Sequence, residues 1–224
     1  PSSTRAASGE EAEVEENPNT EAPRRPSAMP TLSWEYARRG YDLRRVSEDQ
    51  LIYFLFISND WWARRSQLEL QRRGDVGQNM DRVHKVLRPI LTGKAATPKK
   101  LRAMWTLHVT KGLGDEQLME LLDHEDEHIR GWAVTLLCED GTPPKESLAK
   151  FTAMAENDTP VVRLKLASAM QRMPTDDRWD IATALVAHEE DNEDHNLPLM
   201  NWYGMEPAVA ADKAKALQLA GKCK

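Results

Sequence analysis

The sequence contains few of the residues that build covalently linked or metal-linked scaffolds. Only Cys138 and Cys223 among its 224 residues are cysteines, which excludes a disulfide-dense fold, an iron–sulfur cluster and a four-cysteine zinc site. No Cys-x-x-Cys-His string for covalent haem attachment is present. No apolar run approaches the roughly 18 residues that a membrane-spanning helix requires. We therefore expect no cofactor in this chain and no direct insertion into a membrane.

The beginning of the sequence lacks the features of a folded domain. Residues 1–30 are rich in Pro, Glu, Ser and Ala and contain no aromatic residue, so they cannot bury enough apolar surface to offset the entropy of ordering. We predict a disordered or linker segment over residues 1–40 and one helical domain over residues 41–224. Because the chain begins at Pro1, without Met or an apolar signal segment, we expect a fragment or a processed product.

Charge is distributed unevenly along a chain whose net charge is −6. Residues 31–113 carry sixteen basic and eight acidic side chains, a net charge of +8, whereas residues 114–195 carry seven basic and twenty acidic ones, a net charge of −13. Solvated helix faces would explain such a division, and so would electrostatic docking of a partner. In the second interpretation, the acidic half attracts a basic partner.

The spacing of apolar residues predicts helices from Ser47 to the end of the chain. Ser47 and Gln50 have the spacing of a capping box, and Thr97-Pro98 predicts a helix with Thr97 as N-cap and Pro98 in its first position. We expect Pro198 and Pro207 to limit a short helix, and residues 208–220 to form the last helix. No segment has a convincing strand pattern, so the predicted fold class is all-α.

An acidic or Asn residue followed by an apolar–Arg step recurs along these helices. The arginines of this pattern, Arg64, Arg102, Arg130 and Arg163, are separated by 38, 28 and 33 residues. Such a period, with one helix pair in each repeat, is typical of a HEAT-like α-solenoid, here of about five helix pairs. We expect the capping residue to begin the second helix of each pair and the arginine to bind a carboxylate of the adjacent repeat.

Several segments resemble a known family. They are Ser47-Glu-Asp-Gln-Leu51, Ser58-Asn-Asp-Trp-Trp-Ala-Arg-Arg65, Leu70-Gln-Arg-Arg-Gly74, Leu101-Arg-Ala-Met-Trp-Thr-Leu-His108, Leu121-Leu-Asp-His-Glu-Asp-Glu-His-Ile-Arg-Gly-Trp-Ala133, Leu137-Cys-Glu-Asp140 and Asp194-His-Asn-Leu-Pro-Leu-Met-Asn-Trp-Tyr-Gly-Met-Glu-Pro207. Together they resemble the HEAT-repeat region of the PVC-type putative membrane-bound dehydrogenases of planctomycetes and their relatives. The resemblance covers roughly residues 41–210. Trp62 and Gly131 stand where that family leads us to expect Tyr and Ala.

The resemblance implies a non-catalytic role beside a redox enzyme. In that family an exported, sorbosone-dehydrogenase-like β-propeller precedes the helical repeats, and a c-type cytochrome module often follows them. The implied function is a scaffold for these two protein modules, which would belong to the same polypeptide, and the implied location is periplasmic or otherwise exported. A free-standing adaptor that binds protein on the concave face of the solenoid remains the alternative.

Two other kinds of chemistry receive little support from the residues. His124-Glu-Asp-Glu-His128 matches the zinc-protease string His-Glu-x-x-His, but that mechanism needs both histidines on one helix. Here the string falls where the repeat requires a helix cap, and Val134 occupies the position of a third ligand. Paired basic residues are present without any nucleic-acid-reading motif, in a chain that is acidic overall. We predict no catalytic residue, no metal site and no nucleic-acid partner.

The segment from His195 to Pro207 is the candidate interaction surface. It has the length of a second helix but carries Leu199 in place of the repeat arginine. The candidate contact residues are His195, Asn196, Trp202, Tyr203 and Glu206, because aromatic residues of this kind dominate the energy of many interfaces. Packing of the same side chains into the core is the alternative. The positions of Trp105, Trp132 and Trp202 after the arginines favour packing between helices.

Overall fold

The computed structural model describes residues 42–223, and these residues form helices joined by short turns. The predicted linker over residues 1–40 lies outside the described residues, as do Tyr41 and Lys224. The α-helices are α1 (Glu48–Leu55), α2 (Asp60–Asp75), α3 (Asp81–Thr92), α4 (Thr97–Val109), α5 (Asp115–Leu121), α6 (Glu127–Leu137), α7 (Lys145–Asn157), α8 (Pro160–Met170), α9 (Trp179–Leu185), α10 (Leu197–Ala211) and α11 (Lys213–Ala220). No β-strand occurs between residues 42 and 223, which confirms the all-α fold class for the described part.

The helices associate in successive pairs, α1 with α2 through α9 with α10, and α11 follows the last pair. The second helix of each pair also packs against the second helix of the preceding pair: α4 contacts α2, α6 contacts α4, α8 contacts α6 and α10 contacts α8. A single hydrophobic core runs through the stack, from Val46 to Leu219. This arrangement is that of an α-solenoid. Among the described helices, none is long and apolar enough to cross a bilayer.

Local capping explains where several of these helices begin. The side chain of Ser47 accepts a hydrogen bond from the Gln50 amide, and the Gln50 side chain accepts one from the Ser47 amide, which confirms the predicted capping box. Asn59 caps α2 in the same way. The prediction for Thr97 was wrong: Ala96 occupies the N-cap position of α4, and the Thr97 hydroxyl donates instead to the Asp126 carboxylate of a neighbouring pair.

Two arginine–carboxylate contacts connect successive second helices to the repeats that follow. Arg130 Nε and Nη2 donate to the two carboxylate oxygens of Asp158 over 2.8 Å and 2.5 Å, and Arg163 binds Asp191 in the same bidentate manner over 2.6 Å and 2.5 Å. Burial alone would raise the pKa of the Asp158 carboxyl, but the hydrogen bonds from Arg130 and the Thr159 amide outweigh it and lower that pKa. The predicted pairing with the adjacent repeat is confirmed at these two arginines.

The other two arginines of the predicted ladder behave differently. Arg102 turns back to the preceding pair, where it binds the Asp60 carboxylate and donates to the carbonyl oxygens of Leu55 and Ile57 over 3.0 Å and 3.1 Å. Arg64 lies on the exposed surface of α2 and forms no ion pair with any residue that the structure describes. The prediction of a pairing arginine was therefore wrong at position 64.

A buried arginine that the repeat pattern does not predict holds the last helix pair in place. Arg178 donates to the carbonyl oxygen of Met173 through Nε over 2.9 Å and to that of Gly204 through Nη1 over 2.6 Å. Gly204 lies in α10 at a close crossing with α8, where a Cβ atom would be 3.0 Å from Met170 Cβ and 3.2 Å from the Ala167 carbonyl oxygen. Only a glycine lets the two helices approach this closely.

The end of the fold departs from the prediction at Pro207. We expected this proline to end the helix that begins near Pro198, but α10 continues through Pro207 to Ala211. Pro207 is on the exposed side of α10, where water can bind the carbonyl group that loses its helical partner. The predicted helix over residues 208–220 is instead divided at Asp212, whose side chain accepts from the Lys215 amide and begins α11.

We expect Gly204→Ala to lower the free energy of unfolding by about 1–3 kcal/mol, because the added methyl group meets atoms that are fixed by two backbones. Alanine normally stabilises a helix interior by roughly 0.5–1 kcal/mol relative to glycine. A decrease in the free energy of unfolding would therefore indicate the close crossing of α8 and α10. Urea unfolding monitored by circular dichroism measures it. Gly221→Ala, where the nearest atom is 3.5 Å away, is the control. A stabilising effect of Gly204→Ala would contradict the packing described here.

Candidate interaction surface

A long apolar groove lies between the last three helices, and we name it the C-terminal groove. Its volume is about 950 Å³. The side chains that line it come from α9, α10 and α11 and from the turns between them: Leu185, Val186, His188, Asp191, Asn192, Pro198, Asn201, Trp202, Met205, Glu206, Val209, Ala210, Lys213, Ala216, Leu217, Leu219, Ala220 and Cys223. Apolar atoms form most of this surface, and a few polar groups lie along its rim.

The turn before α10 fixes how that helix borders the groove. The Asp194 side chain accepts hydrogen bonds from the amides of Asn196 and Leu197, both over 2.8 Å, and so takes the role of a cap for the first turn. Hydrogen bonds from these amides lower the pKa of the Asp194 carboxyl. Leu197 and Met205 are buried, which leaves the opposite side of α10 exposed.

The five candidate contact residues divide into two groups. Trp202 and Glu206 line the C-terminal groove. Tyr203 lies one position further around α10 with 47% of its surface exposed, beside the groove but not in it. His195 and Asn196 lie on the exposed turn before α10 and do not line the groove. The structure therefore brings together two of the five residues, and the part that each plays in binding stays a prediction.

The tryptophans after the repeat arginines do not all pack in the same way. Trp105 and Trp132 meet edge to face with ring centroids 4.9 Å apart, and Lys165 Nζ lies 5.0 Å from the centre of the Trp132 ring. For these two the prediction of packing between helices is confirmed. It was wrong for Trp202, which is 53% exposed because its position on α10 faces the groove instead of α8.

Sequence reasoning missed the contribution of α11 to the groove. Leu217 and Leu219 face it from this helix, and Leu217 is 77% exposed. The missed signal was Asp212, which has the spacing of a helix cap to Lys215 and so marks a separate helix. The prediction of one continuous helix over residues 208–220 did not include the change of direction between α10 and α11 at Asp212, which opens the groove.

The zinc-protease string has a structural role at the start of α6. His124 lies in the turn before the helix, Asp126 is the N-cap and accepts from the His128 amide over 2.9 Å, and only Glu127 and His128 are helical. The string therefore does not place both histidines on one helix, as its mechanism requires. Between residues 42 and 223, no group of three or more His, Cys, Asp or Glu side chains is arranged to hold a metal ion.

His124 is half-buried where the turn before α6 meets α4. Its Nδ1 lies 2.9 Å from the amide nitrogen of Asp126, and its Nε2 lies 3.1 Å from Nζ of the buried Lys100. A neutral imidazole has only one accepting nitrogen, so these two donors compete for it. Burial and the nearby Lys100 ammonium lower the pKa of His124. Burial likewise lowers the pKa of His84, which contacts Thr110.

Comparisons with known proteins identify no relative of this chain. No protein-family model, no curated protein and no solved structure matches it. Functional inference for this protein therefore rests on its own surfaces and on the sequence resemblance described above.

If Trp202 belongs to a contact surface and not to the core, Trp202→Ala should lower the free energy of unfolding by no more than about 1 kcal/mol. Phe151→Ala, which removes a fully buried ring, should cost about 3–5 kcal/mol. Tyr203→Ala and His195→Ala should leave the melting temperature nearly unchanged. Chemical denaturation of all four variants measures these effects. A cost for Trp202→Ala equal to that of Phe151→Ala would show that the tryptophan closes the core.

The two half-buried histidines, His84 and His124, predict weaker folding in mild acid. Because folding lowers the pKa of His84 and His124 from the usual 6.5, the unfolded chain binds more protons below about pH 6.5, and the free energy of unfolding falls as the pH falls. Urea unfolding at pH 7.5 and pH 5.5 measures this decrease. We expect it to be smaller in His124→Gln, whereas the exposed control His195→Gln should show the wild-type decrease. An unchanged decrease in His124→Gln would contradict the assignment.

Proposed function

We propose that this chain is a non-catalytic helical-repeat module that binds another protein through the C-terminal groove. The groove itself carries the proposal: it exposes a continuous apolar surface between α9, α10 and α11, with Trp202 at its edge. Contiguous apolar surfaces that are rimmed by polar residues are found at contact sites between proteins. Tryptophan is among the residues that contribute most to the energy of protein interfaces.

The reactive groups of the described residues favour binding over catalysis. Burial raises the pKa of the Cys138 thiol to about 12, so this cysteine is not a nucleophile at neutral pH. His124 is occupied at a helix junction. The polar groups on the rim of the groove, such as Glu206 and Lys213, are exposed to water.

The sequence resemblance supplies the class of partner. On that basis we propose that the module holds a propeller dehydrogenase and a c-type cytochrome module together in an exported protein. The charge of residues 114–195, −13 in total, supports a basic partner for the part of the solenoid from α5 to α9. Complementary charge raises the rate of association and orients the partner, while the apolar groove supplies the contact area.

Binding of a c-type cytochrome module tests the proposal. We expect its dissociation constant to rise by about tenfold or more in Trp202→Ala, the range of an interface hot spot. Leu199→Ala is the control, because Leu199 is 51% exposed on the same helix but does not line the groove. Affinity should also fall between 0.1 M and 1 M salt, because the screening length shrinks from about 10 Å to about 3 Å. Isothermal titration calorimetry gives both values.

Two results of this titration would contradict the proposal. Equal loss of affinity in Trp202→Ala and Leu199→Ala would show that the groove is not the contact surface. An affinity that does not change with salt would show that the charge of the acidic half does not contribute to binding.

A further inference from the structure

The C-terminal groove has the position of a missing second helix. In the pairs before it, each second helix packs against the first helix of its own pair and against the second helix of the preceding pair, as α8 does with α7 and α6. Helix α11 packs on α9 and α10, as the first helix of a sixth pair would. The groove lies between α10 and α11. Its geometry therefore suits a helix with an apolar stripe, and none of the described helices of the same molecule fills it.

The opposite end of the solenoid presents such a stripe on α2. Trp61, Arg65, Leu68 and Arg72 fall within an arc of roughly 60° at 100° per residue, and we name them the N-terminal face. Trp61 is 52% and Leu68 55% exposed, and the Arg65 guanidinium lies 5.6 Å from the centre of the Trp61 ring.

This face is directed away from the rest of the stack. The side of α2 that packs on α4 is marked by Gly74, where a Cβ atom would be 3.7 Å from Thr110 Cα. The N-terminal face lies on roughly the opposite side of the helix, at 100° per residue. It is therefore where a preceding second helix would pack in a longer solenoid.

The two ends also carry complementary charge. Arg64 and Arg65 are exposed on α2, and Arg72 keeps half of its side chain exposed while it binds Glu69. Around the C-terminal groove three acidic side chains are exposed, Glu189, Glu193 and Glu206, against one basic side chain in the groove lining, Lys213. The basic N-terminal face attracts the acidic groove of another molecule, whereas two N-terminal faces repel each other. This favours contact between the N-terminal face of one molecule and the groove of the other.

We propose that a second copy of this chain docks head to tail, with the N-terminal face of one molecule in the C-terminal groove of the next. Helix α2 then completes the pair that α11 begins, and Trp61 and Trp202 become buried in the same interface. Such a contact uses two different surfaces, so it does not close on itself in a dimer and can be extended by further copies. This inference rests on the proposed function, since it takes the groove to be a protein-binding surface.

Mixing two variants, each blocked at one end, tests the proposal. Trp61→Glu places a carboxylate on the N-terminal face, where the acidic groove repels it. Trp202→Lys places an ammonium group at the groove, where the basic N-terminal face repels it. Each variant also loses the apolar contact of its tryptophan. In sedimentation velocity at low salt, the wild-type chain should form a concentration-dependent series of oligomers. Each variant alone should be a monomer, whereas an equal mixture should form a dimer and nothing larger, because only one intact pair of surfaces remains.

Circular dichroism of each variant is the test that it is folded. Trp61→Ala and Trp202→Ala form a second pair of variants that adds no charge. A monomeric wild-type chain at every concentration would overturn the inference, as would a mixture that stays monomeric or a single variant that forms dimers. If the wild-type chain is monomeric while Trp202→Ala still weakens cytochrome binding, only the head-to-tail contact fails. If that binding is also unaffected by Trp202→Ala, the proposed function fails with it.

Discussion

The contact of an arginine with the carboxylate of the following repeat is the constraint on which the middle of this solenoid depends. Arg130 and Arg163 each bind both oxygens of an aspartate 28 residues later, and each also donates to carbonyl groups in the turn before its own helix. A bidentate contact fixes orientation as well as distance. Replacing one partner of the buried Arg163–Asp191 pair would leave an uncompensated charge, which typically costs about 3–5 kcal/mol. The pairs therefore determine how each repeat sits on the next.

Much of the fold could be predicted because its signals are local. The capping box at Ser47 is a pattern of four consecutive residues, and the structure forms it as predicted. Thr97 had an equally good local signal, but the Asp126 carboxylate of another repeat binds its hydroxyl. Pro207 also had a clear signal, yet its side of α10 faces water and the helix continues. Tertiary surroundings decided both cases, and they are not visible in a local sequence pattern.

The candidate site was predicted less well than the fold, for a related reason. Composition alone directed attention to the segment that holds Trp202 and Glu206, and both line the groove. However, a groove is a property of three helices and of the angle at Asp212, so the facing residues Leu217 and Leu219 could not be assigned to it from a linear pattern. The same limit applies to Arg178, whose carbonyl partners come from two separate segments and whose sequence position has no repeat equivalent.

Contacts between neighbouring repeats determine how folding propagates along the chain. Contacts that define the stack join residues that are about one repeat apart, as in Arg130 with Asp158, so each step of assembly closes only a short loop. Proteins rich in such short-range contacts fold quickly, and in solenoids stability passes mainly between nearest neighbours. Protection of backbone amides from hydrogen exchange should therefore decay from the interior of the stack towards each terminus. Occupation of the groove would slow exchange chiefly in α9, α10 and α11, and much less in α1 at the far end.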